Sequence, residues 1–209
     1  MKTVCVFGAD GRTGRHVLSE LKLKGYSVQA FVYHRTADMV DEKERKYFEG
    51  DIMNYSHVQK AVEGSDVVIT VVGHGDKTHP YMQTIGTKNI IKAMRSCGIR
   101  RVISLTGTGV VEKGDVHTFF DTLSKWAVMM FDKKRVVDGV RHAQVLKDSG
   151  LDWTIVRVSK LGGEGDLKFR LTEHGPAEVV SHRNRVAHVL VSLIDSQYWI
   201  GKSPIMTRR

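Results

Sequence analysis

A short apolar run, Val4-Cys5-Val6-Phe7, breaks into Gly8-Ala9-Asp10-Gly11-Arg12-Thr13-Gly14, and a helical pattern of Val17, Leu18 and Leu21 follows. Three glycines at intervals of three between a strand and a helix constrain this chain more than any other feature. The order strand, tight turn, helix leaves backbone N–H groups unpaired at a helix N-terminus, where they can hold a phosphate. Glycine is required because a Cβ would block the approach of a pyrophosphate and of the helix to the strand. A dinucleotide is the ligand such a turn suits, with Gly8, Asp10, Gly11, Arg12, Thr13 and Gly14 as the contacting residues.

The rest of the sequence continues the alternation. Strands are expected at Lys2–Phe7, Ser27–Val32, Arg45–Glu49, Asp66–Val72, Arg101–Leu105 and Leu151–Val158. Helices are expected at Thr13–Lys24, Ser56–Glu63 with Ser56 as N-cap, Tyr81–Ser96, about 119–148, and Arg183–Asp195. Residues 161–165 read as a flexible glycine loop, and strand-like pieces follow at Leu167–Leu171 and Ala177–Ser181. Strand–helix alternation over six units implies an α/β, Rossmann-type doubly wound parallel sheet flanked by helices. The 209 residues fit a single domain, 1–209, with residues 159–181 as a small substrate-side insertion. Ligands then sit at the carboxyl ends of the strands, near the switch point between strands 1 and 4.

Composition narrows the setting. Hydrophobic residues make up 41% and charged residues 26%, ordinary for a globular chain. No apolar run approaches the roughly 20 residues that span a bilayer, and no signal-type segment opens the chain, so a cytoplasmic location is expected. The cysteines, Cys5 and Cys97, read as reduced packing residues. The ten histidines show no metal-ligand spacing, so no metal is expected. A net charge of +9 favours anionic partners. The charge is scattered: Lys133-Lys134-Arg135 and Arg208-Arg209 read as solvated helix face and chain tail, which argues against nucleic acid.

The remaining loops supply candidate contacts. An acidic residue after strand 2 would select NAD; here the segment is Val32-Tyr33-His34-Arg35-Thr36, without a carboxylate before Asp38. Arg35 and Arg12 are therefore candidates for a 2′-phosphate, and NADP(H) is preferred over NAD(H). Asp51 after strand 3 suits the adenine amino group, with Ile52 against the ring. Val72-Gly73-His74-Gly75 ends the most buried strand in small residues that let a cofactor lie close.

Those motifs, with Thr87-Lys88-Asn89-Ile90-Ile91-Lys92-Ala93-Met94, Arg101-Val102-Ile103-Ser104-Leu105-Thr106 and Ser149-Gly150-Leu151-Asp152-Trp153-Thr154-Ile155-Val156-Arg157, run in a familiar order. The chain resembles the atypical short-chain dehydrogenase/reductase proteins with an NAD(P)-binding, NmrA-like fold, nearest to the biliverdin-IX-beta/flavin reductase group. The resemblance covers about residues 1–195. It implies NADP(H) held by Gly8, Gly11, Arg12, Thr13, Gly14, Asp51, Ile52 and the Gly73 loop, and a nicotinamide near the ends of strands 5 and 6.

The departures from that family bear on the chemistry. Tyr33 stands where an arginine is frequent after strand 2. Gly107 replaces a serine, Val158-Ser159-Lys160 replaces a proline- and histidine-bearing strand end, and Arg185 stands where an aspartate opens the last helix. There is no Tyr-x-x-x-Lys pair: Asp121 lies four residues before Lys125, and no tyrosine occurs in 82–197. The catalytic candidates are Thr106, which also borders the nicotinamide, Thr108 and Lys160. His117 and His142 are further titratable groups within reach of the site, though helix-surface residues are the commoner reading. Two functions follow from these expectations: reduction of a small anionic planar acceptor (flavin, quinone or tetrapyrrole-like), or a non-catalytic redox sensor that works through a protein partner.

Overall fold

A computed structural model of the chain describes residues 1–75, 78–116 and 133–207. Ten strands are present in it: β1 Thr3–Phe7, β2 Ser27–Val32, β3 Arg45–Glu49, β4 Val67–Thr70, β5 Arg101–Gly107, β6 Asp152–Val158, β7 Lys160–Gly162, β8 Arg170–Thr172, β9 Val180–His182 and β10 Ile205–Thr207. Five helices accompany them: α1 Arg12–Leu23, α2 Tyr55–Val62, α3 Met82–Ser96, α4 Lys133–Lys147 and α5 Arg183–Ser192.

The main sheet runs β3-β2-β1-β4-β5-β6-β10-β8, parallel except for β8 at the edge. Strand β1 pairs with both β2 and β4, so the chain reverses its direction of winding there. That makes the carboxyl end of β1 the crevice where ligands of such sheets bind. The central strands are apolar on both faces because helices cover both. Helices α1 and α5 pack on one face with Val4, Val6, Ile69, Ile103 and Val156. Helices α2, α3 and α4 cover the other with Cys5, Phe7, Val68, Val102 and Ile155. Strand alternation sends successive residues to these two layers. Cys5 is fully buried, and burial pushes its thiol well above the usual range, so it is a packing group.

Several local expectations change. The α2 cap is Asn54, whose side chain accepts from Ser56 N at 3.0 Å, so the helix starts at Tyr55 and Ser56 lies inside it. Residues 160–162 form β7, paired with β9, where a flexible loop was expected, because Arg183 N and the Arg183 side chain fasten the Gly163 and Gly162 carbonyls. The strand-like pieces after it lie later than read, at Arg170–Thr172 and Val180–His182. The chain end supplies β10, which extends the main sheet at Ile205↔Arg157. Of the long helix expected over 119–148, α4 is the described part, and His117, Asp121 and Lys125 lie outside the described residues.

Candidate functional site

The glycine turn is built by sterics. Gly8 has φ +80°, and a Cβ there would sit 3.1 Å from the Val72 backbone. A Cβ on Gly14 would lie 2.0 Å from the Gly8 carbonyl oxygen, an overlap no rotation relieves. Gly11 N donates to that same oxygen at 3.1 Å, closing the turn. Gly11 also precedes α1 in extended conformation with no side-chain cap, leaving the first helical N–H groups for an anion. Thr13 and Gly14 are the buried residues of that first turn.

Asp10 has an anchoring role. Its carboxylate accepts from Tyr33 N at 3.0 Å, and Ala9 N donates to Phe31 O at 3.2 Å, so the turn is tied to the end of β2. The two arginines assigned to a 2′-phosphate are separated. Arg35, about one-third exposed, donates to Met39 O at 2.8 Å and pairs with Asp41 at 3.1 Å within the β2–β3 loop. Arg12 opens α1, which packs along α5, the helix that Arg183 opens. The basic residue near the β2 end is Arg15, which donates to Asp10 O at 3.3 Å and whose charge helps hold the Asp38 carboxyl below its ordinary range, after the hydrogen bond from Thr36. Sequence reasoning passed over Arg15 because helical spacing alone reads it as solvated face.

At the third loop, Gly50 N donates to Val32 O at 2.9 Å, and Asp51 Oδ1 accepts from Met53 N at 2.8 Å, leaving Asp51 exposed at the crevice. Ile52 turns inward: a Cβ on Gly86 would meet it at 2.8 Å, and Asn89 donates to its carbonyl at 3.0 Å. At the fourth, Val72 O accepts from Gln83 Nε2 at 2.6 Å, and Gly73 has open space where a side chain would be. His74, named as a cofactor contact, is buried and donates from Nε2 to Asp138 at 2.9 Å. It latches the loop and presents no free ring edge: its Nδ1 meets Thr78 Oγ1 at 3.2 Å.

Asp138 is the group the sequence did not announce. It is fully buried and accepts from Gln83 N at 2.8 Å, Thr84 N at 3.1 Å, the Thr84 hydroxyl and His74. A carboxylate on α4 thereby caps the N-terminus of α3, supplying the charge its first turn lacks. One helical turn later His142, only 2% exposed, bonds Ser104 Oγ through Nε2 at 3.1 Å, while Nδ1 has no partner among the described residues. It is a core residue and not the surface histidine expected. Burial pushes its pKa down to about 4, opposed by the charge of Asp138. His142 and Ser104 border a small cavity that Ile52, Thr70, Val72 and Thr87 also line.

The three catalytic candidates divide. Gly107 pairs with Val158, and Thr108 N donates to Val158 O at 2.9 Å, so Thr108 and the segment leading to Lys160 share the end of β5 and β6. Lys160 is exposed there. Thr106 is 7% exposed and abuts α4, where a Cβ on Gly139 would lie 3.5 Å from its hydroxyl. The strand end is braced by Arg157, fully buried, which pairs with Asp115 and donates to Ser203 O, Val110 O and Glu173 O. Arg185 is likewise an anchor, bound to Asp166 and Glu178. Among the described residues no cluster of metal-ligating side chains occurs, and no helix is long and apolar enough to cross a membrane.

The switch-point crevice, the glycine turn and the parallel sheet define a Rossmann-type dinucleotide-binding protein. The NAD(P)H-binding family model matches residues 8–197, and the chain belongs to that family. Among curated relatives, the chain is 28% identical over 122 residues to the decarboxylating sterol-4-alpha-carboxylate 3-dehydrogenase of Mus musculus, covering 54% of this chain and 32% of that protein. It is 26% identical over 181 residues to sterol demethylase protein B of Methylococcus capsulatus, covering 79% and 53%. The chain thus spans a third to a half of the length of these relatives. Among solved structures, ChuY, an anaerobilin reductase from Escherichia coli O157:H7, superposes with TM-score 0.81 at 20% identity, covering 99% of this chain and 97% of that one. A short-chain dehydrogenase/reductase from Veillonella parvula in complex with NADP gives TM-score 0.80 at 20% identity, covering 99% and 94%. At that identity the likeness is one of fold.

Proposed function

We propose that this chain is a cytoplasmic NADPH-dependent reductase that passes a hydride to a small anionic planar acceptor: a flavin, a quinone or a tetrapyrrole-like ring. The carrying observation is the complete glycine-turn site beside a β5–β6 end that lacks the Tyr-x-x-x-Lys proton donor. Hydride transfer to a conjugated ring needs stacking over the nicotinamide and little else, with the proton drawn from water. The bound dinucleotide supplies the hydride. The chain's own groups hold and orient: Gly8, Gly11 and Gly14 admit the diphosphate, Asp51 meets the adenine side, and Gly73 leaves room for close approach. Exposed Lys160 would neutralise the acceptor's negative charge, and Thr108 would hydrogen-bond acceptor or nicotinamide amide. Thr106, turned toward α4, supports the strand end. The NADP-bound structural neighbour and the reductase named ChuY support the reading by fold.

Steady-state oxidation of NADPH with FMN, riboflavin and simple quinones tests it. Turnover with at least one planar acceptor is expected. Tight dinucleotide binding without turnover across the panel would replace it with the second reading, an NmrA-like dinucleotide sensor acting through a protein partner, which the inward Thr106 favours.

A further inference from the structure

Helices α1 and α5 pack side by side and run the same way. Glu20 meets His188 at 2.8 Å further along the pair, while Arg12 and Arg183 are the first residues of the two helices. The segment after β7 lies against α1 as well, with His16 and Glu164 3.8 Å apart. The two helix starts are therefore neighbours beside the glycine turn, with Arg12 opening one and Arg183 the other.

Their charge is unanswered. Three other arginines of the site region have carboxylates: Arg35 has Asp41, Arg157 has Asp115, and Arg185 has Asp166 and Glu178, whereas Arg15 bonds the Asp10 carbonyl. Among the described residues Arg12 has no ion pair, and Arg183 bonds only the Gly162 carbonyl. Partial burial and then the charge of Arg12 push Arg183 below the ordinary arginine range. Two cations held together without a counter-charge are stabilised by an anion placed between them, and the neighbouring uncapped α1 N-terminus is where the family's dinucleotide lays its diphosphate.

We propose that Arg183, with Arg12, forms a second grip on the diphosphate of the bound dinucleotide, delivered from the substrate-side region. It rests on the family's dinucleotide binding and not on the reductase reading. Arg183 also fastens the 162–163 segment that follows Lys160, so diphosphate binding and the order of the acceptor side are joined in one residue.

The test is direct binding of four probes: NADPH, NADH, ADP-ribose, and 2′-AMP, which lacks the diphosphate. Arg183→Gln is expected to raise the Kd of the first three by a common factor of about ten, leaving 2′-AMP unchanged, with Arg183→Lys intermediate. Arg12→Gln, which removes no side-chain hydrogen bond among the described residues, should act in the same direction, and the double variant should lose less than the two factors multiplied. Unchanged Kd values, or equal weakening of 2′-AMP, would overturn the proposal. Unchanged dinucleotide Kd values with a raised KM for FMN but not riboflavin would overturn it too, assigning the pair to the acceptor's phosphate. Failure of the unaltered chain to bind any of the first three probes would remove the dinucleotide reading itself.

Discussion

The two ends of the ligand crevice are built by different physics. At the β1 end, shape is set by what is missing: Gly8, Gly11 and Gly14 make a turn in which backbone lies where side chains would be. At the β5–β6 end, shape is set by buried charge: Asp138 caps α3 and holds His74, and Arg157 with Asp115 ties β6 to three loop carbonyls. A steric site tolerates no added atom but does not care about pH. A site held by buried polar groups keeps its shape only while each group keeps its partner and its protonation state.

Substitutions can break this comparison at either end. Asp138→Leu should be the most damaging, since it leaves two backbone N–H groups, a hydroxyl and an imidazole buried without an acceptor. A loss of about 4 kcal/mol in urea unfolding is expected. Gly14→Ala should follow, at about 3 kcal/mol of overpacking together with loss of measurable NADPH binding by calorimetry. If Gly14→Ala bound dinucleotide normally, the steric account of the turn would be wrong.

The pH response should come from the buried end. His142 folds with a pKa near 4 against about 6.5 when unfolded, so the unfolded chain binds the extra proton between those values. Stability is then fully present above about pH 6.5 and falls as pH drops toward 4, by up to about 3 kcal/mol from this residue. His142→Gln should flatten the slope of unfolding free energy against pH in that window. An unaltered slope would assign the acid sensitivity elsewhere.

The smallest effect expected is at the β2 end. Arg35→Ala should weaken NADPH by about 1.5 kcal/mol, with NADH nearly unaffected, because only the 2′-phosphate would draw the guanidinium from Asp41, an exposed pairing of little strength. Equal effects on both cofactors would leave Arg35 as a loop brace, and Arg15→Ala would then be the informative variant.

Legibility followed the range of the interaction. The winding order, the switch point and the glycine turn were readable because their causes are local: apolar runs, helix-ending glycines and close backbone approach. Boundaries shifted where a neighbour a few residues away took over, as Asn54 did from Ser56 at the start of α2. The readings of His74 and His142 changed for another reason. Their partners Asp138 and Ser104 lie 64 and 38 residues away in the chain, and no spacing pattern marks such a pairing.

By itself, then, the sequence determined the doubly wound sheet and the glycine turn at its switch point, since the backbone approaches too closely there for any side chain at Gly8 or Gly14. The tertiary structure decided which charged groups face that ligand and which hold the fold. Charge is neutralised by whatever carboxylate folding brings within reach, so Arg35, Arg157 and Arg185 were taken up by Asp41, Asp115 and the Asp166–Glu178 pair. Arg12 and Arg183, at the starts of the packed helices α1 and α5, have no carboxylate partner among the described residues.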